Sequence, residues 1–243
     1  VVAHPERIVT PGERARFQAF VERRAAGEPV AYIVGRAGFY GREFLVDRRV
    51  LIPRPETEHV VEAALQFART LPGTRPSVAD VGTGSGAIAI TLAAENGTLE
   101  VVASDISADA LAVARANAQA LGVAGRVRLV CGDLLAPLGA FAPYDIVVAN
   151  LPYVPTGSLP VAPHPVGYEP RVALDGGADG LALYRRLLAD LDTVLKPRGG
   201  VFLEAAPGTI EVLAQLARDS FPDAAIEIGV DYAGLERYLA IVC

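Results

Sequence analysis

The chain has little of what builds metal centres or disulfide frameworks. Its only cysteines are Cys131 and Cys243, which lack metal-ligand spacing, so a reducing, cytoplasmic setting is expected. His4, His59 and His164 are its only histidines. They lie far apart in sequence, unlike the closely spaced ligands of most metal sites, so no metal is expected. No apolar run approaches the ~18 residues of a membrane span, and the N-terminus has no charged-then-apolar leader pattern, which argues against a membrane role. Basic residues are not in excess: 22 Lys and Arg against 28 Asp and Glu leave a net charge of −6. There is therefore no bulk positive field to hold a nucleic-acid backbone. Methionine is absent even from position 1, which implies a start that is processed or cut from something longer.

What is present is a large apolar fraction. With 51% hydrophobic residues, 243 residues can bury one sizeable α/β domain and carry a smaller appendage. Thr10 as N-cap, Pro11 at the first helical position and Phe17, Phe20 and Val21 at helical spacing predict an amphipathic helix over Pro11 to Ala26. Tyr32 to Val34, Phe39-Tyr40, Phe44 to Val46 and Val50 to Ile52 predict short strands or a hairpin. The turn Pro53-Arg54-Pro55 leads into a helix carrying Val60, Val61, Ala64, Leu65 and Ala68, and Leu71 to Pro76 reads as a hinge. Strand and helix then alternate. Strands are predicted at Val78 to Val81, Val101 to Asp105, Val127 to Cys131, Ile146 to Ala149, Gly200 to Ala205, Ala225 to Val230 and Tyr238 to Val242. Helices are predicted at Ala87 to Glu95, Ala108 to Leu121, Leu181 to Leu195 and Thr209 to Phe221. Such alternation implies a mostly parallel sheet covered by helices on both faces.

In such sheets ligands bind beyond the carboxyl ends of the strands, and four successive strands deliver polar groups there. Asp80, Gly82, Gly84 and Gly86 lie around the end of the first strand, Asp105 at that of the second, Asp133 at that of the third and Asn150 at that of the fourth. The turn Gly82-Thr83-Gly84-Ser85-Gly86-Ala87 fits a loose dinucleotide-binding pattern, and Asp105 stands where a ribose-binding acid is expected. Asp133 can accept from an adenine amino group. Asp80 would attract the cationic amino end of S-adenosylmethionine and repel a pyrophosphate, which favours the sulfonium cofactor over NAD.

Asn150-Leu151-Pro152-Tyr153 suits a flat substrate bearing an NH2 group. The Asn150 side-chain oxygen can accept one N–H and the Leu151 carbonyl the other. Pro152 disfavours the helical region for Leu151 and would hold that carbonyl outward, and Tyr153 offers an aromatic face to a planar amide or base. The same residues also suit a plain turn closing a strand.

Together these stretches resemble the class I S-adenosylmethionine-dependent methyltransferases, and more narrowly the HemK/PrmC family of release-factor glutamine N5-methyltransferases. The resemblance covers Glu28 to Gly35, Phe39 to Gly41, Leu51 to Glu58, Asp80 to Ala87, Tyr144 to Pro155, Glu169 to Leu174 and Gly176 to Leu181. It implies a Rossmann-like, mostly parallel seven-stranded sheet with a small N-terminal helix and β-hairpin connector. Residues 1–72 would form the N-terminal helix, connector and linking helix, a reduced substrate-docking region, and residues 73–243 the methyltransferase domain. Cofactor binding would fall to Arg54, Pro55, Asp80, Gly82, Thr83, Gly84, Gly86, Asp105, Ile106, Asp133, Leu134 and Asn150. Catalysis would fall to Asn150, Leu151, Pro152 and Tyr153, which would bind substrate together with Glu169. The implied cofactor is S-adenosylmethionine, leaving as S-adenosylhomocysteine. The implied substrate is the glutamine of the Gly-Gly-Gln loop of a class I peptide chain release factor, met by a monomer.

The chain departs from the family in three places. Leu151 replaces the usual first proline of Asn-Pro-Pro-Tyr, a form similar to rRNA adenine dimethyltransferases. The N-terminal bundle is reduced to about one helix, and Leu203-Glu204-Ala205-Ala206 stands where Glu-Ile-Gly is more usual. An adenine in RNA or DNA, or a glutamine in a ribosomal protein, are therefore alternative substrates. An NAD oxidoreductase, or a nucleotide-binding module without catalysis, is the alternative of another class.

Overall fold

Strands that are apolar at nearly every position need cover on both sides, and that requirement sets the architecture. The structure, a computed structural model, describes residues 7–71 and 75–243. Its helices are α1 (Pro11–Ala25), α2 (Val30–Val34), α3 (Glu58–Ala68), α4 (Ala87–Glu95), α5 (Ala108–Ala120), α6 (Ala182–Asp190) and α7 (Ile210–Ser220). Its strands are β1 (Arg36–Phe39), β2 (Arg42–Leu45), β3 (Ser77–Val81), β4 (Glu100–Asp105), β5 (Val127–Cys131), β6 (Tyr144–Ala149), β7 (Leu195–Glu204), β8 (Ala225–Val230) and β9 (Glu236–Val242).

Seven of these strands form one sheet in the order β5-β4-β3-β6-β7-β9-β8, and only β9 runs antiparallel to its neighbours. This is the mostly parallel seven-stranded sheet expected. Alternation along the strands divides the core. Val78, Ile146, Val148 and Phe202 join α3, α4 and the hairpin residues Phe39 and Phe44 on one face. Ala79, Val81, Val147, Ala149, Val201 and Leu203 meet α6 and α7 on the other. Because β4 and β5 lie to one side of β3 and β6 and β7 to the other, strand order reverses between β3 and β6. A crevice opens at their carboxyl ends.

Several expectations need correction. Tyr32 to Val34 belong to helix α2, which Pro29 enters and Gly35 ends with φ of 77°, so local capping outweighs their strand propensity. The hairpin β1–β2 is present, but Val50 to Ile52 form no strand. Helix α1 is closed by a capping box: Thr10 accepts from the Glu13 N–H at 3.2 Å and its own N–H donates to Glu13 at 2.9 Å. No residue of α1 is buried, so the expected apolar face of Phe17, Phe20 and Val21 meets no core among the described residues. Helix α6 stops at Asp190 rather than Leu195, and β7 starts five residues before Gly200. A register shift lets Tyr144 pair with Leu195 and Ile146 with Gly200. A Cβ at Gly200 would lie 2.7 Å from the Phe67 ring, so only glycine lets β7 pass beneath α3 there. Part of the expected hinge, and the expected boundary between 72 and 73, lie outside the described residues.

Candidate active site

The glycine turn after β3 is tied to β4 by its backbone. The N–H groups of Gly82 and Thr83 both donate to the Ser104 carbonyl at 2.9 Å, and Gly86 opens α4 with φ of 83°. A Cβ at Gly86 would lie 2.6 Å from Ile90 and 3.3 Å from Ala114, so this glycine serves the close approach of α4 and α5. Gly84 is different: its φ is 55° and a Cβ there would meet nothing within 4 Å. The backbone at Gly84 thus opens onto a cavity of about 540 Å³, within the size range of small-ligand sites.

That cavity lies in the crevice, and most of the expected residues line it. Gly82, Thr83 and Gly84 form its floor with Asp105 and Ile106. Asp133 and Leu134 line it from the end of β5, and Asn150, Leu151 and Pro152 from the end of β6. Arg54 lines it from the connector. The Asp105 carboxylate accepts from the Gly84 N–H on one oxygen and the Ser107 N–H on the other, both at 2.8 Å. Burial nonetheless pushes its pKa up. Each oxygen keeps a lone pair for a further donor, as a ribose diol would supply. Asp133 is ion-paired with Arg186 at 2.5 Å, at the rim.

Five expected residues face elsewhere. Asp80 does not line the cavity, because strand alternation turns it under the glycine turn, where it is fully buried. It accepts from the Thr83 hydroxyl at 2.6 Å and from the Ala89 N–H at 3.1 Å, so it clamps the turn onto α4 from behind the cavity wall. Gly86 is occupied with helix packing, and Pro55 begins a 3-10 turn while Pro53 takes the wall position. Glu169 is buried against the connector: it pairs with Arg54 and accepts from the Ile52 N–H at 3.1 Å, so it braces the Arg54 turn. Tyr153 leaves the wall too, its hydroxyl 3.4 Å from a Glu204 carboxylate oxygen. The Leu151 carbonyl, expected to point outward, lies 3.1 Å from the buried Tyr184 hydroxyl. The same hydroxyl approaches the Glu204 carbonyl more closely, and its single proton serves one carbonyl at a time.

The main wall residue missed from the sequence is Thr57, whose Oγ1 accepts from Asn150 Nδ2 at 3.1 Å. With its nitrogen engaged there, the Asn150 side-chain oxygen is the end left for the cavity. Glu204, passed over as part of an atypical strand end, was findable. It ends an apolar strand pairing with β6, where Ala149 lies opposite Leu203, so a fifth strand brings a polar group, buried and off the cavity wall, to the same edge of the sheet.

Burial pushes the carboxyls of Asp80 and Glu204 each up to about 7. A carboxyl with a raised folded-state pKa contributes stability present below its unfolded value and lost as pH climbs through the folded one. Asp80→Asn should therefore gain about 3 kcal/mol on the wild type between about pH 5 and about pH 8, read as a divergence of their denaturant midpoints. Parallel midpoints would mean that Asp80 is charged at no cost in the fold.

Family models match the chain in two places: "Methyltransferase small domain" over residues 58–159 and "PrmC N-terminal domain" over residues 1–35. The release factor glutamine methyltransferase of Moorella thermoacetica is 44% identical, over 98% of this chain and 83% of that protein. The Bacillus subtilis protein of the same name is 43% identical, over 93% of this chain and 79% of its own. Among solved structures, a ribosomal protein L11 methylase from Lactobacillus delbrueckii subsp. bulgaricus aligns with a TM-score of 0.56 at 23% identity, covering 81% of this chain and 82% of that one. A Pyrococcus furiosus methyltransferase aligns with a TM-score of 0.59 at 17% identity, covering 96% and 98%. The structural likenesses establish a class I methyltransferase fold.

Proposed function

The chain belongs to the release factor glutamine methyltransferase family, and from that premise we propose that it methylates the side-chain amide nitrogen N5 of the glutamine in the Gly-Gly-Gln loop of class I peptide chain release factors. The methyl donor is S-adenosylmethionine, in keeping with a methyltransferase fold. Gly82 to Gly84, Asp105, Ile106, Asp133 and Leu134 would hold it, and the open backbone at Gly84 fits that role. When bound, it supplies an electrophilic methyl group on a sulfonium. The enzyme acts as a monomer in the cytoplasm.

The observation that carries this reading is the Asn150 carboxamide, anchored through its nitrogen on Thr57 with its oxygen left for the same cavity as the glycine turn and Asp105. An amide nitrogen is a poor nucleophile because its lone pair is delocalised. Asn150 Oδ1 and the remaining lone pair of the Leu151 carbonyl can accept both N–H groups, raising electron density on nitrogen and fixing its direction of attack. Neither oxygen is basic enough to remove a proton before transfer, so the chain's contribution is orientation and polarisation; once methylated, the cationic amide nitrogen is acidic enough to release one of its two protons to water. Arg54, held by Glu169, closes the connector side of the cavity.

The test is transfer of tritiated methyl from S-adenosylmethionine to a class I release factor and to its Gln→Ala variant. Label is expected on the first and not on the second. Equal labelling of the two would reject the assignment, and nuclease-sensitive label on nucleic acid would put adenine in glutamine's place.

A further inference from the structure

Of the two acceptors proposed for the substrate NH2, one is a side-chain oxygen and the other is the backbone carbonyl of Leu151, whose place is set by that residue's own torsions. Leu151 has no ring to fix its φ. Pro152 keeps Leu151 extended but leaves its ψ a range of about 40°, which swings the carbonyl oxygen through roughly 0.7 Å. Misplacing a reacting group by about 1 Å can cost about 10²-fold in rate, so this freedom has to be removed by packing.

Both ends of Leu151 are restrained in the structure. Its side chain is 2% exposed and lies over the glycine turn, where a Cβ on Gly82 would sit 3.1 Å from Leu151 Cδ2. Its carbonyl oxygen lies 3.1 Å from the Tyr184 hydroxyl. Tyr184 is fully buried, in the core that α6 and α7 form against β6 and β7. Its hydroxyl also reaches the Glu204 carbonyl, at the end of β7 and one residue beyond the Ala149–Leu203 pair. The phenol is therefore carried by α6 and set against the ends of two paired strands.

We propose that Tyr184 is a positioning residue whose hydroxyl holds the Leu151 carbonyl where it can accept the second N–H of the substrate amide. This deepens the reading of that carbonyl as a substrate acceptor, and rests on it. A carbonyl oxygen has two lone pairs: Tyr184 meets one from the buried side, and the other is left for the cavity, which Leu151 lines. Tyr184 does not line the cavity itself, so it acts only through Leu151. Burial pushes the pKa of the hydroxyl well up, so it keeps the proton it donates.

The deciding experiment reads the carbonyl directly, and one arm needs no substrate. The Leu-Pro pairs of the chain are Leu71-Pro72, Leu151-Pro152 and Leu159-Pro160. Protein labelled with 13C at the leucine carbonyl and 15N at proline therefore gives one carbon-detected signal for each, and Leu151→Ile, which deletes one of them, assigns it. In Tyr184→Phe, which keeps the ring and loses only the hydroxyl, the Leu151 signal should move and the other two stay. In the second arm, Tyr184→Phe should lower kcat for release-factor methylation about tenfold, as loss of one hydrogen bond implies. KM for the release factor and Kd for S-adenosylhomocysteine should stay within about twofold. A tyrosine that merely fills the core would lower the denaturant midpoint on substitution and leave the kcat of the folded protein unchanged. A Leu151 signal indifferent to Tyr184→Phe would overturn the proposal even if the release factor is methylated, and so would a moved signal with an unchanged kcat. A moved signal in a protein whose wild type leaves the release factor unlabelled would uphold the hold on the carbonyl and sink only the substrate.

Discussion

Replacing Asn150 by Ala lowers kcat for release-factor methylation by on the order of 10²-fold or more, while affinity for S-adenosylhomocysteine stays within about threefold. The expectation rests on the division of labour at the end of β6. Asn150 lines the cavity, but the cofactor cradle of Gly82 to Gly84 and Asp105 is held by hydrogen bonds among Ser104, Ser107 and its own backbone, none of them made to Asn150. Removing the carboxamide leaves the substrate amide with the Leu151 carbonyl alone. That one acceptor can neither orient nor polarise the nitrogen as a pair does. Asn150→Asp is the sharper variant, because it keeps the accepting oxygen and loses the NH2 anchored on Thr57. If orientation matters, it too falls. Single-turnover rates and calorimetry with S-adenosylhomocysteine check both. A kcat within about threefold of wild type in Asn150→Ala would place the chemistry elsewhere.

Asp105→Ala has the largest expected effect on affinity: Kd for S-adenosylhomocysteine rises by about 10²-fold or more, from the loss of hydrogen bonds to a charged acceptor. Part of that loss is indirect. Asp105 also holds the Gly84 N–H and the Ser107 N–H at the start of α5, so its removal loosens the turn that the ligand would lie against. Asp105→Asn, which keeps one accepting oxygen, should lose about tenfold. A titration with NAD serves as control. An Asp105→Ala protein that still binds S-adenosylhomocysteine as tightly as the wild type would remove the ribose from this edge of the crevice.

Much of the site was legible before any coordinates. Strand ends at Asp105, Cys131 and Ala149 were marked by a polar residue or glycine after an apolar run, and parallel strands separated by helices must present those ends together. The glycine turn was legible because only residues tolerating positive φ suit it, and Gly82, Gly84 and Gly86 all adopt it. Errors fell on residues whose neighbours are distant in sequence. Glu169 braces Ile52 and Arg54, over a hundred residues earlier, and Thr57 meets Asn150 across a similar span. Asp80 was placed in the right strand and given the wrong face, although alternation with Val81 would have allowed either until the helices covering each side were known.

By itself, then, the order of residues determined the alternating elements, the edge of the sheet where polar groups gather, and a family whose chemistry fits them, because these depend on spacing and on what each backbone position tolerates. Only the tertiary structure decided which of those polar groups face the cavity and which serve as braces. Side-chain direction at a strand end depends on what packs against it, and here the decisive partners, Thr57 for Asn150 and Glu204 for Tyr153, come from other parts of the chain.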